Sequence, residues 1–572
     1  MPHSVGYKDE GVCLSIQIGP YSILLDCGIT DISALCAEPV DFAFCSHAHT
    51  DHIRGLLPLH RALPQLPIFS SAVTAKLLPL NWPEQEDTQF CRPLPWQKTI
   101  EIAPGLSVQL WPAGHMPGAA CFLITYKTAQ RTYSVFYSGD CFLSNGRLVD
   151  GMPLAQMRNL KPNVLIVEGS YGTERHPHRK QQENYLVDRL GEALANRGRA
   201  VFPVPLLGLG QELLMLIRSH HHFTGQPIDV WVDPLIAMGC DAYLGSLSAL
   251  PETVQNFAQH QPLFWDERVL PRVRRLERGL NPEVVASESN AAVFIVHPAT
   301  YPELYAQDDG STWTVFAPDL ADVSLWQRQL DTRYYQFDWL AALQEVVVST
   351  PVDVEHYMLT NHCDRGGTTQ LIHNLRPQHV IFVHGKQQQL TDLASLDDLQ
   401  ARYQLHLPTP SQLIDLPLAL DFWQPAPPRN TLYEGEVDAN AGGVELRLPQ
   451  SLESDPRWAK LADTGIVEAS WQGDQLVIRG LNQQELMQVS ASQSPDKSFS
   501  KKSFSKKSFK QDQVDSKVLG EAISSPFESE TTCYYCRHLR GRRCRNPESP
   551  LVGLQVTSDG TCAAFERSAT SL

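Results

Sequence analysis

The chain has 572 residues and a formal net charge of −16 at pH 7, with 42% hydrophobic and 19% charged residues. This length exceeds one compact core, since a domain holds about 100–200 residues, and it predicts three or more units. The acidic balance disfavours a generally basic protein that coats nucleic acid, but it leaves room for a local basic channel or a metal site. The sequence contains no run of roughly 20 apolar residues and no signal-peptide pattern, so we expect a cytoplasmic protein without membrane contact.

The first part of the chain contains short apolar runs that predict strands. Residues 11–28, GVCLSIQIGPYSILLDCG, predict a hairpin around a Gly-Pro turn, and DFAFCSH predicts a third strand. Later runs end in a polar residue or a glycine, as in LSVQLWPAGH, TYSVFYSGD and NVLIVEGSYG. These shared endings predict that the chemistry lies along one edge of a sheet.

The third strand leads into SHAHTDHIRGL, residues 46–56, which concentrates His47, His49, Asp51 and His52. Zinc in hydrolytic sites binds imidazole nitrogen and carboxylate oxygen and leaves a position for water. In a locally extended chain, His47 and His49 project the same way, whereas Asp51 and His52 turn to the other side. That arrangement suits two metals a few ångströms apart. The alternative is a histidine-rich surface turn.

Three further candidate ligands each follow a strand-like run: His115 in AGHMPGAA, Asp140 in VFYSGD and His384 in IFVHGK. Any one of them alone would more often be structural. In this order, and after the histidine-rich segment, they resemble the motifs of the metallo-β-lactamase superfamily. Asp26 in ILLDCG is similar to the first motif of that family.

The resemblance implies two zinc ions and a set of ligands bridged by Asp140. One metal would be held by His47, His49 and His115, and the other by Asp51, His52 and His384. Asp51 would thereby also belong to the catalytic set. Asp26 would orient ligand histidines through hydrogen bonds.

The segment between Asp140 and His384 is too long for a simple lactamase-type sandwich. Alternating helix and strand patterns fill it, and its two ends resemble the β-CASP branch, the RNA-processing nucleases of the ribonuclease J and polyadenylation cleavage factor type. The residues that carry this resemblance are EGSYG, VFPVPLLGLGQELLMLI and YMLTNHCDRGGTTQLIHNLRPQHVIFVHGK. The implied fold is α/β, a metallo-β-lactamase αββα sandwich with an inserted β-CASP α/β domain. Two departures are Leu209, where such ribonucleases usually have arginine, and VHPATYPEL in place of a glycine- and serine-rich segment.

The β-CASP resemblance assigns catalytic roles to His362 and Glu168. His362 would act as the general acid that protonates the leaving oxygen, and Glu168 would hold its ring and raise its pKa. The alternative for His362 is a helix-capping or core histidine.

Composition and pattern predict six segments along the chain. They are the first part of the metallo-β-lactamase domain (1–173), the β-CASP insertion (174–350), the return of the first domain (351–423), a small β-rich domain (430–490), a disordered Lys/Phe/Ser linker (491–530) and a four-cysteine metal-binding module (531–568).

The 13 cysteines fall into two groups. Nine are scattered singly through the first 363 residues and are typical of reduced, mostly buried thiols. The last four, Cys533, Cys536, Cys544 and Cys562, predict a structural zinc module, with iron–sulfur as the lesser option. Upstream, the repeat SFSKK at 498–510 interleaves lysine with phenylalanine, which suits single-stranded nucleic acid as well as it suits a solubilising spacer.

These patterns together predict a zinc-dependent β-CASP ribonuclease that hydrolyses phosphodiester bonds in single-stranded RNA. A DNA-directed nuclease and a small-ester hydrolase that shares only the metal core are the enzymatic alternatives. A non-catalytic RNA-binding scaffold is the third, and the complete ligand set counts against it. RNA is the expected partner, DNA stays open, and so does a homo-oligomer.

Overall fold

The computed structural model describes residues 1–6, 11–158, 160–195, 198–276, 291–297, 313–318 and 352–418, with the backbone of six further strands between positions 436 and 544. The chain divides into two compact units, Met1–Leu432 and Tyr433–Leu572. Within the described ranges, none of the helices has the length and apolar character needed to cross a membrane.

The first sheet has six strands in chain order. The predicted hairpin is present and turns at Gly19, whose φ of +60° is easily adopted only by glycine. After the hairpin the strands run parallel. The six strands are Pro2–Val5 (β1), Val12–Ile18 (β2), Tyr21–Leu25 (β3), Phe42–Phe44 (β4), Ile68–Ser71 (β5) and Cys91–Leu94 (β6).

A second sheet begins with an antiparallel meander and then turns parallel between its fourth and fifth strands. Its first five strands are Ile100–Ala103 (β7), Leu106–Pro112 (β8), Ala120–Lys127 (β9), Thr132–Tyr137 (β10) and Val164–Glu168 (β11). The helices in this part of the chain are Ser33–Ala37 (α1), Thr50–Ile53 (α2), Leu56–Ala62 (α3), Ala72–Leu77 (α4) and Leu154–Met157 (α5).

The two sheets pack face to face. Inward-facing residues of both sheets form one apolar core, in which the rings of Phe44 and Phe122 lie 5.0 Å apart. A second core covers the outer faces and includes helix residues such as Leu56, Leu59 and Leu77. These layers are the predicted αββα sandwich.

The third sheet consists of six parallel strands, which pair in the order Arg272–Arg275 (β14), Ile228–Val232 (β13), Ala291–Val296 (β15), Arg199–Pro203 (β12), Trp313–Pro318 (β16) and Val352–Tyr357 (β17). Its central strands are buried throughout, as expected for a parallel sheet covered on both faces. The helices are Arg179–Leu194 (α6), Leu209–Ser219 (α7), Pro234–Leu244 (α8) and Glu252–His260 (α9).

The chain leaves the third sheet at Tyr357, a few residues after the predicted return at 351. The run DVEHY, which the sequence assigned to the returning first domain, instead pairs with β16, because Val352–Tyr357 continues the parallel register of the inserted sheet. The return follows as Arg365–Leu375 (α10), His379–Val383 (β18), Gln387–Ala394 (α11), Asp397–Gln400 (α12) and Gln404–His406 (β19). Strand β18 pairs parallel with β11, and β19 pairs parallel with β18 at the edge of the second sheet.

The second unit is described only as strand backbone. It contains two antiparallel hairpins within the predicted β-rich region and one short hairpin in the predicted four-cysteine region. The strands are Glu436–Asn440 (β20), Gly443–Arg447 (β21), Ile466–Gln472 (β22), Gln475–Leu481 (β23), Leu539–Arg540 (β24) and Arg543–Cys544 (β25). The linker at 491–530 and the residues Cys533, Cys536 and Cys562 lie outside the described residues, so the module stays a prediction.

Candidate metal centre

The histidine-rich segment forms a tight turn between β4 and the short helix α2. The carbonyl oxygen of Asp51 packs directly on the backbone of Gly11 and Gly28, where a Cβ atom would lie 1.8 Å and 1.7 Å away. No other residue type fits at these two positions without moving the turn. The glycines therefore allow the backbone to approach closely enough to hold the segment in place.

Three histidine nitrogens and one carboxylate converge on one point, which we call the first cluster (His47, His49, His115 and Asp140). His49 Nδ1 lies 3.1 Å from His47 Nε2 and 3.0 Å from His115 Nε2. Asp140 Oδ2 lies 3.4 Å from His47 Nε2 and 3.9 Å from His115 Nε2. The structure thus brings together all of the ligands predicted for one metal.

The second cluster contains Asp51, His52, Asp140 and His384, all of them buried. His384 Nε2 lies 3.1 Å from Asp51 Oδ2, and His52 Nε2 lies 3.2 Å from Asp140 Oδ2. His384 occupies the left-handed region with φ of +53°, which aims its ring into the cluster from the end of β18. Such strain in a residue other than glycine is typical of functional sites.

Both clusters pass a test of fit for a cation. Two buried carboxylate atoms, Asp51 Oδ1 and Asp140 Oδ1, have no hydrogen-bond partner among the described residues. Leaving such atoms unsatisfied is costly, and a cation would satisfy them. The nitrogen and carboxylate donors are those that zinc binds in hydrolytic sites, so the residues present fit the metals that the fold implies.

The histidines of the first cluster favour the neutral form that binds a metal. Burial lowers the pKa of His47 and His115 well below the usual range, and it lowers the pKa of His49 as well. Neighbouring histidines add to the effect at His47 and His115, because each positive ring would repel the next. Neutral imidazoles offer the lone pair that a cation requires.

The second cluster contains two carboxylates, whereas the first contains one. Burial alone would raise the pKa of Asp140, but the rings of His384 and His52 outweigh burial and lower it well below the usual range. Burial would lower the pKa of His52, but nearby carboxylates, Asp140 first, raise it well above the usual range. The same negative potential that holds a proton on His52 attracts a cation to this position.

Asp26 contacts the His52 ring of the second cluster on its Nδ1 side, as the family resemblance implies. Its Oδ2 lies 2.7 Å from His52 Nδ1 and accepts a hydrogen bond of 2.6 Å from the hydroxyl of Tyr137. Ser46 donates its N–H and its hydroxyl to the same carboxylate. Sequence reasoning missed Tyr137 and Ser46, whose only sequence signal is a polar group at the inner end of a buried strand.

Beside the clusters, His362 pairs with Glu168. His362 Nδ1 lies 2.8 Å from Glu168 Oε2, and the ring of His362 packs on the ring of His115 with centroids 4.5 Å apart. Burial lowers the pKa of His362, but the Glu168 carboxylate outweighs it and raises the pKa to about 9. The pair therefore lies where the sequence placed it.

Ser170, the serine of EGSYG, is a further residue that sequence reasoning missed. Its hydroxyl donates a short hydrogen bond to Glu168 and lies 2.8 Å from His384 Nδ1. It thus links the His362–Glu168 pair to the second cluster. The motif itself was the available sequence signal, since a small hydroxyl residue two positions after an acid on a strand end faces the same side.

The two sequence departures fall in different places. Leu209 is the first residue of α7 and is 9% exposed, so it is packed in the core. The preceding Gly208 lies next to the first cluster, since a Cβ atom there would be 3.5 Å from His49 Nε2. Most of VHPATYPEL lies outside the described residues.

Comparison with known proteins shows the family to which the chain belongs. Residues 21–195 match a β-lactamase superfamily domain, and residues 352–399 match a Zn-dependent metallo-hydrolase RNA specificity domain. An uncharacterized protein of Synechocystis sp. is 42% identical over 582 residues, which cover all of this chain and 97% of that protein. The chain belongs to the metallo-β-lactamase superfamily, in its β-CASP branch.

Other β-CASP relatives are more distant. A probable RNase of Methanocaldococcus jannaschii is 29% identical over 237 residues, covering 36% of this chain and 54% of that protein. Cleavage and polyadenylation specificity factor 73 of Drosophila melanogaster is 22% identical over 434 residues, covering 68% of this chain and 60% of that factor. The chain thus spans little more than half the length of these two relatives. Membership of the superfamily makes this chain a metal-dependent hydrolase, and its own substrate is a separate question.

Proposed function

We propose that this protein is a zinc-dependent β-CASP ribonuclease that hydrolyses phosphodiester bonds in single-stranded RNA. The observation that carries the proposal is the His362–Glu168 pair beside the two candidate metal clusters. An acyl hydrolase does not need a separate proton donor at this position. Cleavage of a phosphodiester, by contrast, releases a poorly stabilised sugar alkoxide that gains from one.

The proposed metal ligands are the members of the two clusters. One zinc would be held by His47, His49 and His115, and the other by Asp51, His52 and His384. Asp140 would be a ligand of both. When bound, the two cations would lower the pKa of water and stabilise the negative charge that develops on phosphorus oxygens. Asp26 would keep His52 oriented through its bond to Nδ1.

His362 would deliver the proton to the leaving oxygen. Its Nδ1 faces Glu168, so Nε2 is the atom available to the substrate. Glu168 is held in turn by the N–H of Cys141, which donates a hydrogen bond of 2.6 Å to Oε1. This second contact fixes the carboxylate, and with it the direction in which the ring of His362 points.

RNA is favoured over other substrates by the match of residues 352–399 to an RNA specificity domain. That segment includes both His362 and His384. The names of the distant relatives point the same way, since one is a probable RNase and another a polyadenylation factor. A DNA nuclease, a small-ester hydrolase and a scaffold are outcomes that the test below distinguishes.

The proposal extends to parts of the chain whose side chains the structure does not describe. Cys533, Cys536, Cys544 and Cys562 would hold a third, structural zinc. The Lys/Phe repeat at 498–510 would bind single-stranded RNA through charge and base stacking. The domain bounds given by the sequence are part of the same proposal, with the inserted sheet extended to Tyr357.

The test uses the full chain with RNA and DNA of one sequence, labelled at either end, and a nitrophenyl ester as the third substrate. We expect cleavage of RNA that a chelator abolishes and zinc restores. Asp51→Ala is the matched inactive variant, and Asp31→Ala, at an exposed carboxylate, is the control. Cleavage of DNA alone, of the ester alone or of nothing at all would each contradict the proposal.

A further inference from the structure

The segment Thr360–His362 contains the proposed proton donor, His362, and contacts a candidate metal ligand, His115. The hydroxyl of Thr360 donates to the carbonyl of His362 at 3.0 Å and accepts from its N–H at 3.2 Å. The carbonyl of Asn361 lies 3.0 Å from His115 Nδ1. Because a carbonyl only accepts, His115 Nδ1 must carry the proton, which leaves the lone pair of Nε2 for a metal.

Helix α6 holds this segment by the peptide groups of Thr360. Arg179 Nη1 donates to the Thr360 carbonyl at 2.6 Å, and the Thr360 N–H donates to Gln182 Oε1 at 2.9 Å. Gln182 is fixed in turn, since its Nε2 donates to the carbonyl of Pro177 at 2.7 Å. Arg179, Gln182 and Thr360 are 8%, 5% and 2% exposed, so water does not compete for these bonds.

The guanidinium of Arg179 is held in place by two acids. Its Nη2 lies 2.9 Å from Glu212 Oε2 and its Nε lies 3.4 Å from Glu183 Oε1. Glu212 also accepts from the N–H groups of Arg147 and Leu148. The arginine is therefore a rigid fork with one arm left for Thr360, a geometry that lysine could not reproduce.

We propose that Arg179 and Gln182 form a clamp on Thr360 that positions His362 for proton transfer and His115 for metal binding. All three are positioning residues, since each acts through the backbone or ring of another. The part of the inference that concerns proton transfer by His362 rests on the proposed function. The part that concerns metal affinity at His115 does not depend on the substrate.

The first experiment separates the effect on proton transfer from the effect on metal binding. Thr360→Val removes the hydroxyl and keeps the two hydrogen bonds from the clamp to the carbonyl and the N–H of residue 360. We expect RNA cleavage to fall about 10–100-fold in kcat with KM and zinc affinity unchanged, whereas Thr360→Ser restores the rate. In a His362→Ala background, Thr360→Val should add nothing, because the residue through which it acts is gone.

The second experiment releases the whole segment. Arg179→Met should lower kcat and also weaken zinc binding about 10–100-fold, measured by competition with a chromophoric chelator. The control is Arg189→Met on the same helix, whose partners are Glu192 and Glu355 on the surface. If Arg179→Met does not fold, Gln182→Met, which leaves the charge balance intact, takes its place.

Three results would overturn the clamp: equal rates for wild type and Thr360→Val, a full Thr360→Val effect in the His362→Ala background, or unchanged zinc affinity in the folded Arg179→Met or Gln182→Met variant. If wild type cleaves no RNA, the proposed function fails. The zinc measurement then decides the clamp on its own.

Discussion

The two candidate metal clusters share Asp140 but are assembled from the chain in different ways. The first cluster draws every ligand from residues 47 to 140, within the first part of the sandwich. The second is closed by His384, which lies 333 positions beyond its partner Asp51. The ligands of the first cluster therefore all lie in the first part of the chain, whereas the second cluster requires the insertion to fold and the chain to return.

The two clusters also differ in chemistry. The first offers three neutral histidines and one carboxylate, and the second two histidines and two carboxylates. Nitrogen-rich sets favour zinc, whereas oxygen-rich sets also accept harder cations. We therefore expect the second cluster to bind zinc more weakly and to lose it first.

The largest effect should follow from removing the shared ligand. Asp140→Ala should abolish RNA cleavage and lower the zinc content from about three per chain to about one, the remaining ion being that of the four-cysteine module. Metal analysis after gel filtration measures this directly. A variant that keeps two or more zinc ions would mean that Asp140 does not bridge the clusters.

Removing His384 should empty only the second cluster. His384→Ala should leave about two zinc ions per chain and reduce RNA cleavage below detection, because one cation alone cannot stabilise both the attacking and the leaving oxygen. His60→Ala, a histidine that stacks on Phe90, is the control. Loss of both active-site ions would contradict the expectation that the first cluster holds its zinc without His384.

The proton donor should matter less than the ligands. His362→Ala should lower RNA cleavage about 10²–10⁴-fold with the zinc content unchanged, since general acid catalysis contributes that much. The defect should shrink on a nitrophenyl phosphodiester, whose leaving group needs no proton. Wild-type rates on RNA would rule out the proposed mechanism even with both metals bound.

The smallest effect should come from the tail. Truncation after residue 490 should weaken RNA binding and flatten its salt dependence, by about 0.7 in slope for each lysine that neutralises a phosphate. The matched control keeps the length and replaces the lysines and phenylalanines of 498–510 with serine and glycine. An unchanged affinity and slope in both variants would leave the repeat as a spacer.

Sequence predicts the centre of this site well, because the ligands closely follow strands in the chain, with Asp51 and His52 in the short helix α2 that comes after β4. His47 and His384 could be picked out by an apolar run followed by a histidine and a small residue, and His115 by an apolar run followed by Ala113 and Gly114. The sandwich and its inserted α/β part followed from the family resemblance that these motifs carry.

The supporting contacts could not be predicted, since they join residues far apart in the chain. Tyr137 reaches Asp26 across 111 positions and Arg179 reaches Thr360 across 181. Nothing local distinguishes such a tyrosine or arginine from others on a buried face. The assignment of Val352–Tyr357 to the returning first domain was wrong for the same reason, because the sequence of a strand does not show which sheet it joins.

The position of His384 has a consequence for the timing of synthesis. Roughly 240 residues separate it from Asp140, and a ribosome that adds 5–20 residues per second needs about 12–50 s to make them. During that interval the emerging chain contains all four ligands of the first cluster but lacks His384 of the second. The proposed ribonuclease would therefore be inactive during that interval, because its second cluster is complete only once β18 has joined β11.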